Sequence, residues 1–294
     1  MKKLARLAAP PPYLDYLVAI REAKIASPGG VDHKAMLASK QGEIAARFAA
    51  FEASMEVGEL ERLMPSADLR TIAASLRSCY SVSTLGVRRL KKSIATAQAS
   101  RVLKYCPMCG TTLPRTHDHY LPAARFPEFS VHALNLVPCC SHCNSIKDDD
   151  WLDSNGKRQY LHLFSDEIPE DAFLVVVLTE LPSMDGVGAT FRLQRPAEFP
   201  PPAWELIEAH FRRLRLLERY SEQVNDEIAE ILSDCAIYLE EGGISAASFL
   251  RKRAAERASV YGRSHWRVVL MQGLADSPKL PFWISAMSPS AAVI

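Results

Sequence analysis

The sequence predicts an α+β protein that is mainly α-helical, with a small metal-held core and one β-hairpin. Apolar residues recur at helical spacing over most of the chain, and β-branched residues concentrate in two short runs after residue 170. Five of the seven cysteines lie between residues 105 and 151. We expect three regions: a helical one over 1–100, the metal-held core over 101–165, and a mostly helical one with the hairpin over 166–294.

The N-terminal region is expected to begin with an arm and to continue as helices. Residues 1–30 predict a loosely ordered arm that ends in a turn at Pro28-Gly29-Gly30. After it, apolar side chains recur every three or four residues, with a break at Pro65. The expected helices cover, in order, residues 34–64, 66–80 and 84–102.

The last of these helices and its exit are basic and carry no acidic residue. A charge run of this kind is most often a solvated helix face. Because it abuts the cysteine-rich core, contact with nucleic-acid phosphates is an equal alternative. The candidate contacts are Arg88, Arg89, Lys91 and Lys92.

Two C-x2-C pairs predict a zinc site in the core. Cys106 and Cys109 form the first knuckle, and Cys140 and Cys143 form the second after thirty intervening residues. Four thiolates at this spacing are typical of a closed tetrahedral zinc site, which stabilises a fold and leaves no position for substrate. Cys139 is an alternative ligand, but the C-x2-C spacing favours Cys140.

The residues between the knuckles carry a second pattern. Asp118-His119 is followed by Tyr-Leu-Pro and then by Asn135, and Asn144 comes directly after the last cysteine. This order resembles the HNH (ββα-metal, treble-clef) endonucleases, in the subgroup whose motif lies between two C-x2-C pairs. The resemblance implies a ββα-metal core embedded in the helical protein, and the hydrolysis of phosphodiester bonds in DNA.

The resemblance also implies roles for individual residues. His119 would be the general base that deprotonates water, and Asn135 would hold the loop between the two strands. Asp118 and Asn144 would bind the catalytic metal ion. The family often has a lysine at the position of Lys147, which is therefore expected to touch the nucleic-acid backbone. Arg125 is a further candidate for such a contact.

Residue chemistry points to two different metal ions. The carboxylate of Asp118 and the amide oxygen of Asn144 are hard donors that suit Mg²⁺ or Mn²⁺, with water and phosphate oxygens completing the shell. The four thiolates are soft donors and suit Zn²⁺. Asp118 and His119 are neighbours on an expected strand, so they would point to opposite faces unless a bulge or turn reorients one of them. We expect His117 to be a solvated neighbour, with an extra metal ligand as the alternative. We expect His132 to be a surface histidine, with contact to the phosphate as the alternative.

The C-terminal region predicts a hairpin followed by helices. Residues 173–178 and 189–193 are rich in β-branched side chains and predict two strands, with Gly186 and Gly188 in the loop between them. Trp266 is expected to be a packed indole. Helical stripes cover residues 203–240, as one helix or a pair, and residues 245–261.

Composition limits the function classes. The net charge is +1, so a nucleic-acid site must be a local patch, and the cysteine pattern suits a reducing compartment. We expect a cytoplasmic protein that does not enter membranes, with DNA as its partner and RNA not excluded. A single nuclease motif cuts both strands only as a homodimer or by acting twice. The family resemblance also fits a regulatory protein partner and an antiviral defence or toxin setting. The alternative is a non-catalytic zinc-knuckle module that binds nucleic acid or protein.

Overall fold

A computed structural model describes residues 1–7, 13–25, 30–80, 84–181 and 186–287. The protein is α+β and mainly helical, as predicted, with two small antiparallel sheets of two strands each in the described residues. The chain divides into two compact units. The N-terminal unit comprises 3–108 and 112–167, and the C-terminal unit comprises Met1–Lys2, Cys109–Thr111 and Ile168–Ile294. The three regions expected from the sequence remain a prediction.

Six helices precede the cysteine-rich core in the described part of the N-terminal unit. The apolar stripe on the third, Ile44, Phe48, Phe51 and Met55, is buried as predicted. The helices are α1 (Tyr13–Glu22), α2 (His33–Ser39), α3 (Gln41–Glu56), α4 (Ala67–Arg70), α5 (Ala73–Arg77) and α6 (Leu85–Thr96).

Three expectations for this region were wrong. Much of the expected N-terminal arm is helix α1, which buries Leu17 and Ile20 three residues apart, too short a stripe to stand out between prolines. The expected single helix over 34–64 is broken at Lys40, whose backbone leaves the helical region. The expected helix over 66–80 is divided into α4 and α5, because the backbone of Ile72 leaves the helical region. Of the expected turn, Pro28 and Gly29 lie outside the described residues.

The core of the N-terminal unit is two strands followed by a helix. Strand β1 (Thr116–His119) pairs antiparallel with β2 (Leu136–Cys139), with Asp118 opposite Val137 and His119 opposite Leu136. Helix α7 (Ser141–Lys147) follows at once, and Cys140 is its N-cap, with Sγ accepting from the amide of Cys143. The second cysteine pair therefore determines where α7 begins.

The loop between β1 and β2 packs against the preceding helices, which corrects the expectation for His132. This histidine is fully buried, and its ring lies 4.5 Å from that of Phe48 and 4.7 Å from that of Phe51. Its Nε2 lies 3.2 Å from the carboxylate of Glu52. The sequence did not show this because Phe48 and Phe51 lie on α3, about eighty residues earlier.

The C-terminal unit contains a hairpin and five helices in the described residues. Strands β3 (Leu174–Leu181) and β4 (Gly186–Leu193) pair antiparallel, so Gly186 and Gly188 lie in a strand and not in the expected loop. The expected helix over 203–240 is a pair, because Arg215 adopts positive φ between them. The helices are α8 (Pro201–Arg213), α9 (Leu216–Glu240), α10 (Ala246–Tyr261), α11 (Trp266–Asp276) and α12 (Leu280–Met287).

Trp266 is a packed indole, as predicted. It is buried at the start of α11, and its ring stacks on that of Tyr220 with centroids 5.7 Å apart. Among the residues described, no helix combines the length and apolar character that crossing a membrane requires.

Candidate metal centre and adjoining pocket

The four cysteines of the two knuckles form one buried cluster. The Sγ atoms of Cys106, Cys109, Cys140 and Cys143 all lie within 4.8 Å of one another. Sulfur ligands at about 2.3 Å from a tetrahedral zinc ion lie about 3.8 Å apart, so a small contraction would place all four in its shell. Together with the all-thiol donor set, this arrangement fits a structural zinc ion.

Local hydrogen bonds orient these sulfurs. The amide of Cys140 donates to Cys106 Sγ at 3.3 Å, and Thr111 Oγ1 lies 3.1 Å from Cys109 Sγ. Gly110 has φ +71°, the left-handed conformation that lets the first knuckle turn back. Such contacts fix ligand orientation and tune the metal.

Cys139 lies outside the cluster, as the spacing predicted. Its Sγ lies 3.3 Å from Thr116 Oγ1 and 3.8 Å from the amide oxygen of Asn144. Burial raises the pKa of its thiol to about 12, so at neutral pH it is a protonated packing residue.

The tip of the first knuckle makes its own contacts within the C-terminal unit. Tyr220 Oη donates to the backbone carbonyl of Cys109 at 2.9 Å, and Trp266 Nε1 donates to that of Gly110 at 3.1 Å. Two large aromatic side chains therefore hold the backbone that carries one of the four sulfurs.

A pocket of about 370 Å³ opens beside β1 and α7 in the N-terminal unit. It brings together Asp118, His119 and Asn144, three of the four residues expected to be catalytic. The pocket is lined by Tyr80, Lys91, Arg115, Thr116, His117, Asp118, His119, Pro122, Asn144, Asp148 and Asp149.

Asp118 is the buried carboxylate of this pocket, with 3% of its surface exposed. Lys147 Nζ lies 3.1 Å from each carboxylate oxygen but has hydrogen-bond geometry only to Oδ1. Oδ2 therefore has no hydrogen-bond partner among the described residues. Burial raises the pKa of the Asp118 carboxyl, and the Lys147 ammonium acts in the opposite direction.

His119 is held as a neutral imidazole. Its Nε2 lies 2.9 Å from the carbonyl oxygen of Ser130, which can only accept, so Nε2 carries the hydrogen and Nδ1 keeps its lone pair. Burial lowers the pKa of His119 to about 4, against a smaller opposite effect of the Ser130 carbonyl. His119 ends β1, and it lines the same pocket as Asp118 although the two alternate along the strand.

The two asparagines occupy different places. Asn135 is fully buried and away from the pocket; its side chain accepts from the amide of Leu121 at 2.7 Å and donates to the carbonyls of Leu121 and Phe129. It thereby closes the loop after β1, which is what the resemblance implied. Asn144 lies on α7 next to a cluster cysteine and lines the pocket.

Lys147 differs from its predicted role. Its side chain is fully buried, and Nζ donates to Asp118 and to the carbonyl oxygen of His119 at 2.9 Å. Its Nζ lies 5.8 Å from the ring centroid of Tyr120 and 6.0 Å from that of Tyr160. A buried ammonium paired in this way positions Asp118 and cannot reach a phosphate at the surface.

The other predicted cations are accessible. Arg125 is exposed beside the ring of Phe126, and Arg88, Arg89 and Lys92 are exposed on α6. Lys91 is half-buried on the same helix and lines the pocket, unlike its neighbours.

Seven of the eleven pocket residues were not identified as functional from the sequence, among them Tyr80, Arg115 and His117. Tyr80 comes from outside the motif, and only the folded chain brings its ring 4.4 Å from that of His119. Arg115 directly precedes β1, and its position beside the motif was the available signal. His117 is partly buried and not a solvated neighbour; burial lowers its pKa to about 4, and its Nε2 has no hydrogen-bond partner among the described residues.

Part of the chain is similar to a phage protein. The chain is 29% identical over 131 residues to Protein ea31 of Escherichia phage lambda, a match that covers 44% of this chain and 43% of that protein. The chain thus spans less than half the length of this relative. No family model matches the chain. No solved structure matches it either.

Proposed function

We propose that this protein is a metal-dependent endonuclease of the HNH type that hydrolyses phosphodiester bonds in DNA. The observation that carries the proposal is the pocket in which a buried carboxylate, a neutral imidazole and an amide oxygen meet, from Asp118, His119 and Asn144. Strands β1 and β2 followed by α7 supply the order of elements that the ββα-metal resemblance implies.

His119 is the general base in this proposal. Its Nδ1 accepts a proton from a water molecule while the Nε2 hydrogen bond to Ser130 holds the ring. The water oxygen bonds to phosphorus, the bond from phosphorus to the leaving ester oxygen breaks, and that oxygen takes a proton from solvent. A base with a pKa of about 4 is fully deprotonated at neutral pH, and so available in every molecule.

Asp118 and Asn144 would hold the catalytic Mg²⁺ or Mn²⁺. The donor set fits, because both offer hard oxygens and Asp118 Oδ2 lacks a hydrogen-bond partner in the described structure. The bound ion would supply Lewis-acid polarisation of the phosphate and the leaving oxygen. Two protein ligands suffice for such an ion, since it keeps several waters and takes phosphate oxygens.

The structural zinc ion braces this centre. Cys140 caps α7 and Asn144 directly follows Cys143, so closing the thiolate cluster fixes where the amide lies. The exposed cations of α6 would bind the backbone of DNA, or of RNA if that is the substrate.

The phage relative supports a phage-related setting, such as defence or its evasion, in the cytoplasm of a bacterial host. To cut both strands, the protein would act as a homodimer or cleave twice in succession. A regulatory protein partner would activate it.

A second candidate is a non-catalytic nucleic-acid-binding module. The ion pair of Asp118 with buried Lys147 favours it, because an ammonium already neutralises the carboxylate that the catalytic ion would need. In the nuclease, Asp118 must keep one oxygen for the ion, and Oδ2 is that oxygen.

Plasmid nicking separates the two candidates. Supercoiled DNA is incubated with the protein and Mg²⁺ or Mn²⁺, with and without EDTA, and with His119→Ala; His142→Ala, at an exposed position of α7, is the matched control. A general base contributes about 10²–10⁴-fold, so His119→Ala should lose nearly all nicking while the control keeps it. DNA binding without metal-dependent nicking would favour the second candidate.

A further inference from the structure

Lys91 differs from the other cations of α6 in where its side chain lies. Val87, Leu90 and Ile94 form the buried face of the helix, and Lys91 stands at the edge of that face. Its Nζ lies 4.8 Å from the ring centroid of Tyr80. The same ring lies edge-on to His119 at 4.4 Å. One aromatic ring thus links the ammonium to the proposed general base.

The charge of Lys91 has no counterion in the part of the chain that the structure describes. No carboxylate of the described residues forms an ion pair with it, whereas the neighbouring cation Lys147 is bonded to Asp118. Asp148 and Asp149 line the same pocket, yet neither pairs with Lys91. Burial lowers the pKa of the Lys91 ammonium, as expected for a cation withdrawn from water without a partner.

We propose that Lys91 is a catalytic residue whose ammonium binds a non-bridging oxygen of the scissile phosphate, from a helix outside the strand–strand–helix motif. The inference rests on the proposed nuclease and adds a contact to the reacting group. A phosphodiester is the anion that suits the site, because the pocket already holds the base and the proposed ion ligands on which the same phosphate would lie.

The physical reason is electrostatic. Negative charge on the phosphate oxygens must be held as water adds, and a fixed cation in a partly desolvated pocket stabilises it more than an exposed one. The ring of Tyr80 fixes the ammonium by a cation–π contact without neutralising it. Arg88, Arg89 and Lys92 face solvent and would contribute to affinity alone.

Single-turnover cleavage at saturating DNA tests this role. Lys91→Met keeps an unbranched stem against Tyr80 and removes the charge, and Lys91→Arg keeps the charge. Lys40→Met is the control, because Lys40 is half-buried like Lys91 but pairs with Glu43 and does not line the pocket. Removing one donor that stabilises transition-state charge costs about 10²–10³-fold in rate. We therefore expect Lys91→Met to lose about a hundredfold in the cleavage rate and Lys91→Arg to recover part of that loss. The control should cleave at the wild-type rate.

Affinity separates this role from backbone binding. Lys91→Met should change the Kd for DNA, measured in Ca²⁺, much less than it changes the rate. Lys92→Met should instead weaken binding and reduce the slope of log K against log salt by about one. A Lys91→Met protein whose rate at saturation stays within about threefold of the wild type, with an unchanged melting temperature, overturns the proposal.

Failure of the nuclease itself gives a different result. If the wild-type protein does not cut DNA, the nuclease proposal is wrong. The binding of inorganic phosphate to the wild type and to Lys91→Met is then measured by calorimetric titration in EDTA. Phosphate binding that the variant loses at least tenfold keeps Lys91 as an anion-binding residue, and equal or absent binding removes that role too.

Discussion

Lys147 and Asp118 form an ion pair beneath the pocket floor, with Nζ 3.1 Å from the carboxylate and both side chains almost wholly out of solvent. The same ammonium donates to the backbone of His119, so one lysine holds two consecutive residues of β1. The pair therefore couples the stability of the N-terminal unit to the placement of the proposed catalytic groups.

Lys147→Met should destabilise the N-terminal unit strongly. Removing one partner of a buried pair leaves the other charge unpaired, which costs about 3–5 kcal/mol. Urea unfolding monitored by circular dichroism measures this loss. The double variant Lys147→Met/Asp118→Asn, which removes both charges, should recover part of it, and a single variant that loses under about 1 kcal/mol would contradict the coupling.

Cys143→Ser should abolish zinc binding and lower the melting temperature. The chain is expected to bind one zinc ion, and loss of a thiolate from a closed site removes folding free energy along with the metal. Zinc released by a thiol-reactive reagent and counted with a chromogenic chelator measures the stoichiometry.

Cys139→Ser is the matched control for the zinc prediction. Its sulfur is buried one residue from a cluster cysteine but lies against Thr116 and Asn144. This variant should keep one zinc ion per chain. Loss of zinc in Cys139→Ser and its retention in Cys140→Ser would reverse the assignment of the ligand.

The sequence predicted the metal cluster because its information is local. Two C-x2-C pairs specify the ligands by spacing, and Asp118, His119 and Asn144 are placed by the same forty residues. Lys147 was assigned to the nucleic-acid backbone from the family resemblance, and only the folded chain places a carboxylate against it. Tyr80 and Lys91 enter the pocket through packing of α6 and the chain before it, which no short motif records.

Acid should destabilise the N-terminal unit between about pH 6.5 and 4. His162 is fully buried, with Nε2 2.9 Å from the carbonyl of Leu134, and burial lowers its pKa to about 4 from 6.5. The unfolded chain binds the proton first, so this contribution is complete above pH 6.5 and is lost as pH falls toward 4. The loss is on the order of 3 kcal/mol.

Stability curves at a series of pH values measure this dependence. In His162→Gln, the slope of the free energy of unfolding against pH should fall between pH 6.5 and 4 by the equivalent of about one proton relative to the wild type. This holds whatever the substitution does to absolute stability. His142→Gln, at an exposed position, is the matched control for replacing a histidine with glutamine. All three proteins should lose zinc in acid, so comparing the slopes of their stability against pH removes that shared contribution. Parallel curves for wild type and His162→Gln would show that the imidazole titrates normally.

Tyr220→Phe should speed the release of zinc while leaving the metal bound at equilibrium. The hydroxyl donates to the carbonyl of Cys109, and its loss removes a hydrogen bond from a buried acceptor, at a cost of about 1–3 kcal/mol. Because that carbonyl belongs to a cluster cysteine, local opening of the first knuckle becomes easier, and the transfer of zinc to excess chelator should accelerate about fivefold to a hundredfold. Tyr238→Phe, on the same helix but stacked on Phe249, is the control and should release zinc at the wild-type rate. Equal release rates in all three proteins would mean that the hydroxyl does not hold the knuckle closed.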